Sequence, residues 1–174
     1  MPVLVTYATC RGSTREVAER IATRLYEDGF AVDCRPVDHV FSVENYTAVI
    51  LGSAVHSHRW LLDALKFLDV EAMELQLVPF WAFSLAMSPH GLPNRIGRKM
   101  AKKERRRIED NLLRKVPKIR EHRMFAGKHD GSSVPGPFRS LYRCLGGRFG
   151  DMRDWTEIDA WADQIAKQLH IEHA

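Results

Sequence analysis

The order of apolar runs and amphipathic stretches predicts an α/β fold. It has three layers, with a five-stranded parallel sheet in the order 2-1-3-4-5 and helices on both faces. Three observations carry this. Strand-like and helix-like segments alternate along the whole chain. The strand-like runs are apolar throughout rather than every second residue, as strands buried on both faces are. At 174 residues, the chain has the length of one domain, 1–174.

Val3–Ala8 is short, apolar and β-branched and reads as the first strand. Thr14 to Asp28 follows as a helix, with Val17, Ala18, Ile21, Ala22 and Leu25 on one face and Gly29 as its left-handed stop. Ala31 to Arg35 is a second strand, and Ala48 to Ser53 a third. Leu61 to Leu68 forms a short helix, and Leu77 to Ser84 a fourth strand. Asn94 to Leu113 is a long basic helix with Ile96, Met100, Ile108 and Leu112 inward. Arg123 to Gly127 is the fifth strand. Trp155 to Leu169 closes the chain, with Trp155, Ile158, Trp161, Ala162, Ile165 and Leu169 on one stripe.

Composition narrows the class. Hydrophobic residues are 45% and charged residues 28%, which excludes disordered and low-complexity chains. No apolar run approaches the roughly 20 residues of a membrane span, and the start of the chain lacks a basic secretory leader. A cytoplasmic protein is therefore expected. Cys10, Cys34 and Cys144 are too widely spaced for a disulfide framework or a metal motif. The net charge of +4 hides an asymmetry: residues 95–123 carry 13 Lys and Arg against four acidic residues. That segment stands at +9 and the remainder at −5, so anionic partners or surfaces are in view.

In a sheet of this order, ligands bind beyond the carboxyl ends of the strands, near the switch between strands one and three. The first loop there is Thr9, Cys10, Arg11, Gly12, Ser13 and Thr14. Hydroxyls, a glycine and backbone amides at a helix amino terminus suit a phosphate. An ordinary Ser/Thr helix cap is the other reading. The loop is not a P-loop, because G-x-x-x-x-G-K-[ST] is absent, and no G-x-G-x-x-G is present either. A phosphatase loop would need arginine six residues after Cys10, where Glu16 stands.

The spacing Tyr7-x-Thr9-x-x-Gly12-x-Thr14-x-x-x-Ala18 resembles the flavodoxin phosphate signature. More of the chain resembles the flavodoxin-type, menaquinone-dependent protoporphyrinogen oxidase family. The matching stretches are Thr14 to Ala18, Val49 to His58, Phe83 to Ala86, Phe125 to Gly127, Leu145 to Gly147 and Asp154-Trp155-x-x-Ile158. This resemblance implies a flavodoxin-like fold with FMN held by three loops. It also implies a flavin that takes hydride equivalents from a protoporphyrinogen-like substrate and passes electrons to a quinone or another acceptor. FMN rather than FAD is expected, since only one phosphate-sized loop exists.

The second loop comprises Ser53, Ala54, Val55, His56, Ser57, His58 and Trp60, and it is expected to border the isoalloxazine. His56 and Trp60 are candidate ring contacts, with helix packing the other role for Trp60. The third loop offers Ser84, Leu85 and Ala86, whose backbone is expected to read the pyrimidine edge. His56, His58 and His90 share no metal-ligand spacing. No acid–base pair is named by the sequence, because the cofactor would carry the chemistry.

The basic helix reads as a solvated face, or as a contact for an anionic membrane or an acidic partner. Nucleic acid is disfavoured because aromatic residues are absent from the patch. Phe138 to Leu145 puts Phe138, Leu141, Tyr142 and Leu145 on one face, as a lid or an interfacial helix. Quinone use would bring the protein to the inner face of the membrane. Two other roles fit the same fold: a non-enzymatic flavodoxin electron carrier, and a flavin-free binding module in which Arg11 fills the phosphate site.

Overall fold

The computed structural model describes residues 1–86, 95–129, 136–144 and 150–173. Strand β1 (Val3–Ala8) leads to helix α1 (Ser13–Glu27), and β2 (Val32–Pro36) follows. Next come β3 (Ala48–His56), β4 (Arg59–Trp60), α2 (Leu62–Val70) and β5 (Phe80–Ala86). The second half holds α3 (Arg95–Lys115), β6 (Glu121–Ala126), β7 (Lys128–His129), α4 (Gly136–Cys144), β8 (Gly150–Asp151) and α5 (Trp155–His173). The main sheet runs β2-β1-β3-β5-β6, all parallel. Counting the parallel strands alone, this is the expected order 2-1-3-4-5. Two features go beyond it: β4 pairs antiparallel with the end of β3, and β7 pairs with β8 in a separate ribbon.

Side chains alternate across the sheet, and both faces are apolar. On one face Val3, Val5, Ile50, Trp81, Phe83 and Phe125 pack against α1 and α5. On the other, Leu4, Val49, Leu51, Phe80, Ala82 and Met124 meet α2 and α3. Phe83, Phe125 and Trp161 form an aromatic cluster with ring centroids 5.6 to 6.2 Å apart. Gly52 makes room for it, because a Cβ there would lie 2.1 Å from Phe83 Cζ. Helix α1 ends in a Schellman motif: Gly29 has φ +96°, its N–H donates to Tyr26 O, and Phe30 N–H donates to Leu25 O.

Two helix faces differ from expectation. In α3, Ile108 and Leu112 are buried together with Ala101, but Ile96 and Met100 are 74% and 59% exposed. The helix has 21 residues, roughly 32 Å, whereas the strands beneath it span about 20–23 Å. Helical periodicity therefore continues into first turns that no described residue buries. Trp155 lies at the start of α5 and is also partly exposed, with the Arg153 guanidinium 4.6 Å from its ring centroid. No described helix is long and apolar enough to cross a membrane.

Candidate functional site

Parallel register brings three strand ends side by side. Ala8 pairs with Ser53, and Ser53 with Ser84. The loops leaving β1, β3 and β5 thus emerge along one edge, where the topological rule places a ligand.

The first loop is open and polar. Gly12 sits at the α1 amino terminus with φ +85°, a conformation that costs glycine nothing, and nothing lies within 4 Å of where its Cβ would be. Its N–H donates to Thr9 Oγ1 at 3.0 Å, and Glu16 N–H donates to Gly12 O. No side chain caps α1, so the cap alternative for this loop does not hold. The leading N–H groups of the helix point out of its end, and the dipole makes that end positive. Cys10 and Arg11 are exposed, Ser13 is half-buried and Thr14 is buried. Thr14 Oγ1 has no hydrogen-bond partner. A buried orphan hydroxyl costs about 1–3 kcal/mol. Three other buried atoms share that state among the described residues: Thr6 Oγ1, Trp81 Nε1 and His122 Nδ1. Only Thr14 stands in the loop.

Glu16, in the first turn, would by itself oppose an anion. Arg153 answers it, with Nη1 2.7 Å from Glu16 Oε2 and with Nε and Nη2 at 2.8 and 2.5 Å from the Asp151 carboxylate. The Arg153 side chain is almost fully buried, and these two carboxylates push its pKa upward. Arg153 also holds the Asp151 carboxyl below the usual range. This brace joins residues 137 apart in sequence, and no local signal marks it.

The second loop is a tight hairpin. β3 reverses through Ser57 and His58, both at positive φ (50° and 63°), with His56 opposite Arg59. That is a type I′ turn built without glycine or asparagine. Ser53 Oγ donates to Ala54 O at 3.0 Å and accepts from Leu61 N–H at 3.1 Å. Its hydroxyl therefore fixes the turn. Ala54 and Val55 are half-buried, and His56, Ser57 and His58 are exposed. His58 Nδ1 lies 3.3 Å from Glu104 Oε1 on α3.

Trp60 takes the packing role. It is 5% exposed, and its indole N–H donates to Ser84 Oγ at 2.7 Å. It belongs to the core cluster on the α2 and α3 side of the sheet, which also includes Ala64 and Phe67. Ser84, Leu85 and Ala86 are likewise buried, so they can offer a ligand backbone but not side chains. Ala86 O already accepts from Gly127 N–H at 2.9 Å. His90 lies outside the described residues.

Sequence reasoning missed His122. Its Nε2 is 2.7 Å from Ser84 Oγ, and its Nδ1 is 3.6 Å from Glu109 Oε1. Ser84 Oγ accepts from Trp60 and is also hydrogen-bonded to His122 Nε2, the direction of that second bond being set by the His122 tautomer. The order Ser–His–Glu is that of a hydrolase triad. Ser84, however, is 0% exposed beneath Trp60, and no substrate carbonyl can reach it. The chain Trp60–Ser84–His122–Glu109 is a tie between the hairpin, the sheet and α3.

No curated protein sequence matches this chain. Among solved structures it is similar to a flavodoxin from the domain Archaea, with 17% identity, a TM-score of 0.59, and 98% of this chain and 99% of that one covered. A Streptococcus pneumoniae TIGR4 flavodoxin is similar too, at 12% identity and a TM-score of 0.56, with 99% of each chain covered. Rubredoxin oxygen:oxidoreductase from Desulfovibrio gigas gives 16% identity and a TM-score of 0.63, and this chain corresponds to only 37% of its length. These likenesses are of fold. The sequence itself matches the family described as Flavodoxin domain over residues 4–135, and the chain belongs to that family.

Proposed function

We propose that the chain holds FMN at the edge formed by the loops after β1, β3 and β5 and acts as a flavin-dependent redox protein. The observation that carries this is Thr14: a buried hydroxyl without a partner, at an uncapped helix amino terminus whose glycine leaves open space. A phosphate monoester satisfies the hydroxyl and the helix N–H groups together. Arg153 keeps the Glu16 charge from repelling it. Bound FMN supplies one- and two-electron chemistry. The protein's own part is to grip the phosphate, to set the hairpin through Ser53, and to border the ring with backbone from residues 54–58 and 84–86.

The finer reading is a protoporphyrinogen oxidase-like enzyme with a quinone acceptor. The exposed first turns of α3 support it. Ile96 and Met100 are exposed among Arg95, Arg98, Lys99, Lys102 and Lys103, an apolar-plus-basic combination suited to an anionic bilayer, where membrane quinone is found. Each basic residue near such a surface contributes about 1 kcal/mol. An electron-carrier role is the second reading, favoured by the match to flavodoxins of nearly the same length.

The visible spectrum of the purified protein, with mass spectrometry of the released molecule, tests the cofactor. FMN is expected, and Thr14→Glu abolishes its retention by placing a carboxylate against the phosphate. Full flavin content in that variant removes the site from this loop. Anaerobic mixing of reduced protein with a soluble quinone, and of oxidised protein with protoporphyrinogen, separates enzyme from carrier. Turnover with both supports the enzyme. Electron exchange with redox proteins alone supports the carrier. Flotation with anionic vesicles at low salt, lost near about 0.5 M salt, supports the membrane contact. Equal behaviour with neutral vesicles refutes it.

A further inference from the structure

Helix α3 is anchored firmly along its second half and thinly along its first. The second half buries Ile108 and Leu112 in the core, and Lys115 pairs with Asp69 of α2. Residues 95–107 bury a single side chain, Ala101. Two histidine–glutamate pairs join the helix to the hairpin and to β6. His58 Nδ1, in the hairpin turn, lies 3.3 Å from Glu104 Oε1. His122 Nδ1, on β6, lies 3.6 Å from Glu109 Oε1. The two differ in burial: the His122 side chain is 4% exposed and that of His58 is 62% exposed. His122 Nδ1 has no hydrogen-bond partner, and 3.6 Å is beyond hydrogen-bond length. Charge is what acts across that gap, so the attraction is strongest with an imidazolium. A neutral ring with its proton on Nε2 turns a lone pair towards the carboxylate instead.

We infer that these two pairs form a proton-dependent clamp, closed when the histidines are charged, that holds the first half of α3 to the hairpin and β6. Histidine ordinarily titrates near about 6.5, so such a device works in the physiological range. The sign follows from the partners. The charged ring is the form that the carboxylate favours, so the attraction is present at low pH and is lost as pH rises through the histidine titration. Around His122 the other charged groups are Arg105 and Arg106, beside Glu109 on α3. Its strand neighbours Glu121 and Arg123 pair with each other on the opposite face of the sheet, where Glu121 also accepts from Trp161 Nε1. Around His58 stand Arg59 and, from α3, Arg107, Asp110 and Arg114. The exposed His58 pair is screened by solvent, so buried His122 is the stronger member. Ser57 and His58 hold positive φ, a conformation that costs residues with a Cβ, and release of the clamp lets that turn relax. The clamp does not depend on flavin. Where the proposed flavin site holds, the clamp sets how firmly the hairpin border of that site stands.

Amide hydrogen exchange of the purified protein at about pH 6 and about pH 8, either side of the ordinary histidine titration, tests it. Exchange is read by mass spectrometry and corrected for intrinsic rates, with flavin content measured in parallel. Peptides from residues 95–107 are expected to lose about three- to tenfold in protection between the two, the scale of up to one pKa unit of coupling. Peptides from α1, whose ion pairs use arginine, serve as the internal reference. Glu104→Gln/Glu109→Gln removes the pH step. Asp110→Asn alters a carboxylate of the same helix outside both pairs and keeps it. Side-chain nitrogen NMR of the parent is expected to show both His122 ring nitrogens protonated at the lower pH and one at the higher. Should the double variant not fold, the parent's pH step and the His122 spectrum still decide. Equal protection at both pH values, a step that survives the double variant, or a His122 ring in one protonation state throughout overturns the inference. A protein that binds no flavin but keeps the step retains the clamp and loses only the cofactor reading.

Discussion

The loop after β1 and the network under the hairpin sit at the same edge of the same sheet, yet they treat polar groups in opposite ways. Under the hairpin every hydroxyl and ring nitrogen is engaged or faces a carboxylate: Trp60 with Ser84, Ser84 with His122, His122 towards Glu109. In the loop, Thr14 Oγ1 is buried without a partner and the helix end is uncapped. Both regions contain residues that sequence reasoning groups together as cofactor contacts. Burial alone does not separate them, since Thr14 and Ser84 are each 0% exposed. Partners and position do: Ser84 Oγ is hydrogen-bonded to Trp60 and His122, whereas Thr14 Oγ1 has no partner among the described residues and stands at an uncapped helix end.

The comparison can be broken most forcefully at Trp60. Trp60→Ala removes a buried aromatic and the donor to Ser84, with an expected loss of about 3–5 kcal/mol of stability. Chemical denaturation measures it. A loss below about 1 kcal/mol would mean that the network is not structural. Ser84→Ala should cost less, about 1–3 kcal/mol, because it strands the indole N–H and the His122 ring nitrogen but leaves only a small void. Equilibrium unfolding of the two variants side by side should keep that order.

The fold was legible because buried parallel strands read as unbroken apolar runs, as in Ala48 to Leu51 and Phe80 to Phe83. The loop proposed to hold the phosphate was legible because its residue types sit at fixed spacing after a strand. The hairpin was not, since Ser57 and His58 carry no turn signal and adopt positive φ only under the Val55–Trp60 pairing. His122 was hidden in a charged stretch, Glu121-His122-Arg123, that does not look like a strand. Ile96 and Met100 were assigned inward because periodicity cannot say where the sheet ends. The Arg153 brace depends on chain closure across the whole domain, which no local pattern encodes.

In the open loop the expected balance reverses. Thr14→Val keeps the shape and deletes the orphan hydroxyl, so the flavin-free protein should be as stable as the parent or slightly more so. FMN affinity should nevertheless fall by about tenfold, the scale of one hydrogen bond to a phosphate oxygen. Fluorescence titration of the stripped protein with FMN reads the second effect and thermal melting the first. A stability loss with unchanged affinity would place Thr14 in the same class as Ser84.

The smallest effect expected lies at the outer end of the network, where it meets solvent. His122 holds the Glu109 carboxyl below the ordinary glutamate value of 4.5, with Arg105 and Arg106 adding to the effect. A depressed folded-state value means that the unfolded chain takes up the proton first. The stabilisation is therefore complete above the ordinary value and is lost as pH falls through the lower, folded one. Glu109 is 37% exposed, so the effect is small. Glu109→Gln removes the titration while keeping the shape. The parent should be the more stable protein at pH 6 to 7, and the difference should shrink below about pH 4.5 as the parent carboxylate protonates. Denaturation midpoints of the two proteins across that range provide the measurement. A difference that stays constant with pH would show that Glu109 acts through packing alone. The network's charge link to α3 would then be absent, although its three inner members would still differ from the open loop as described.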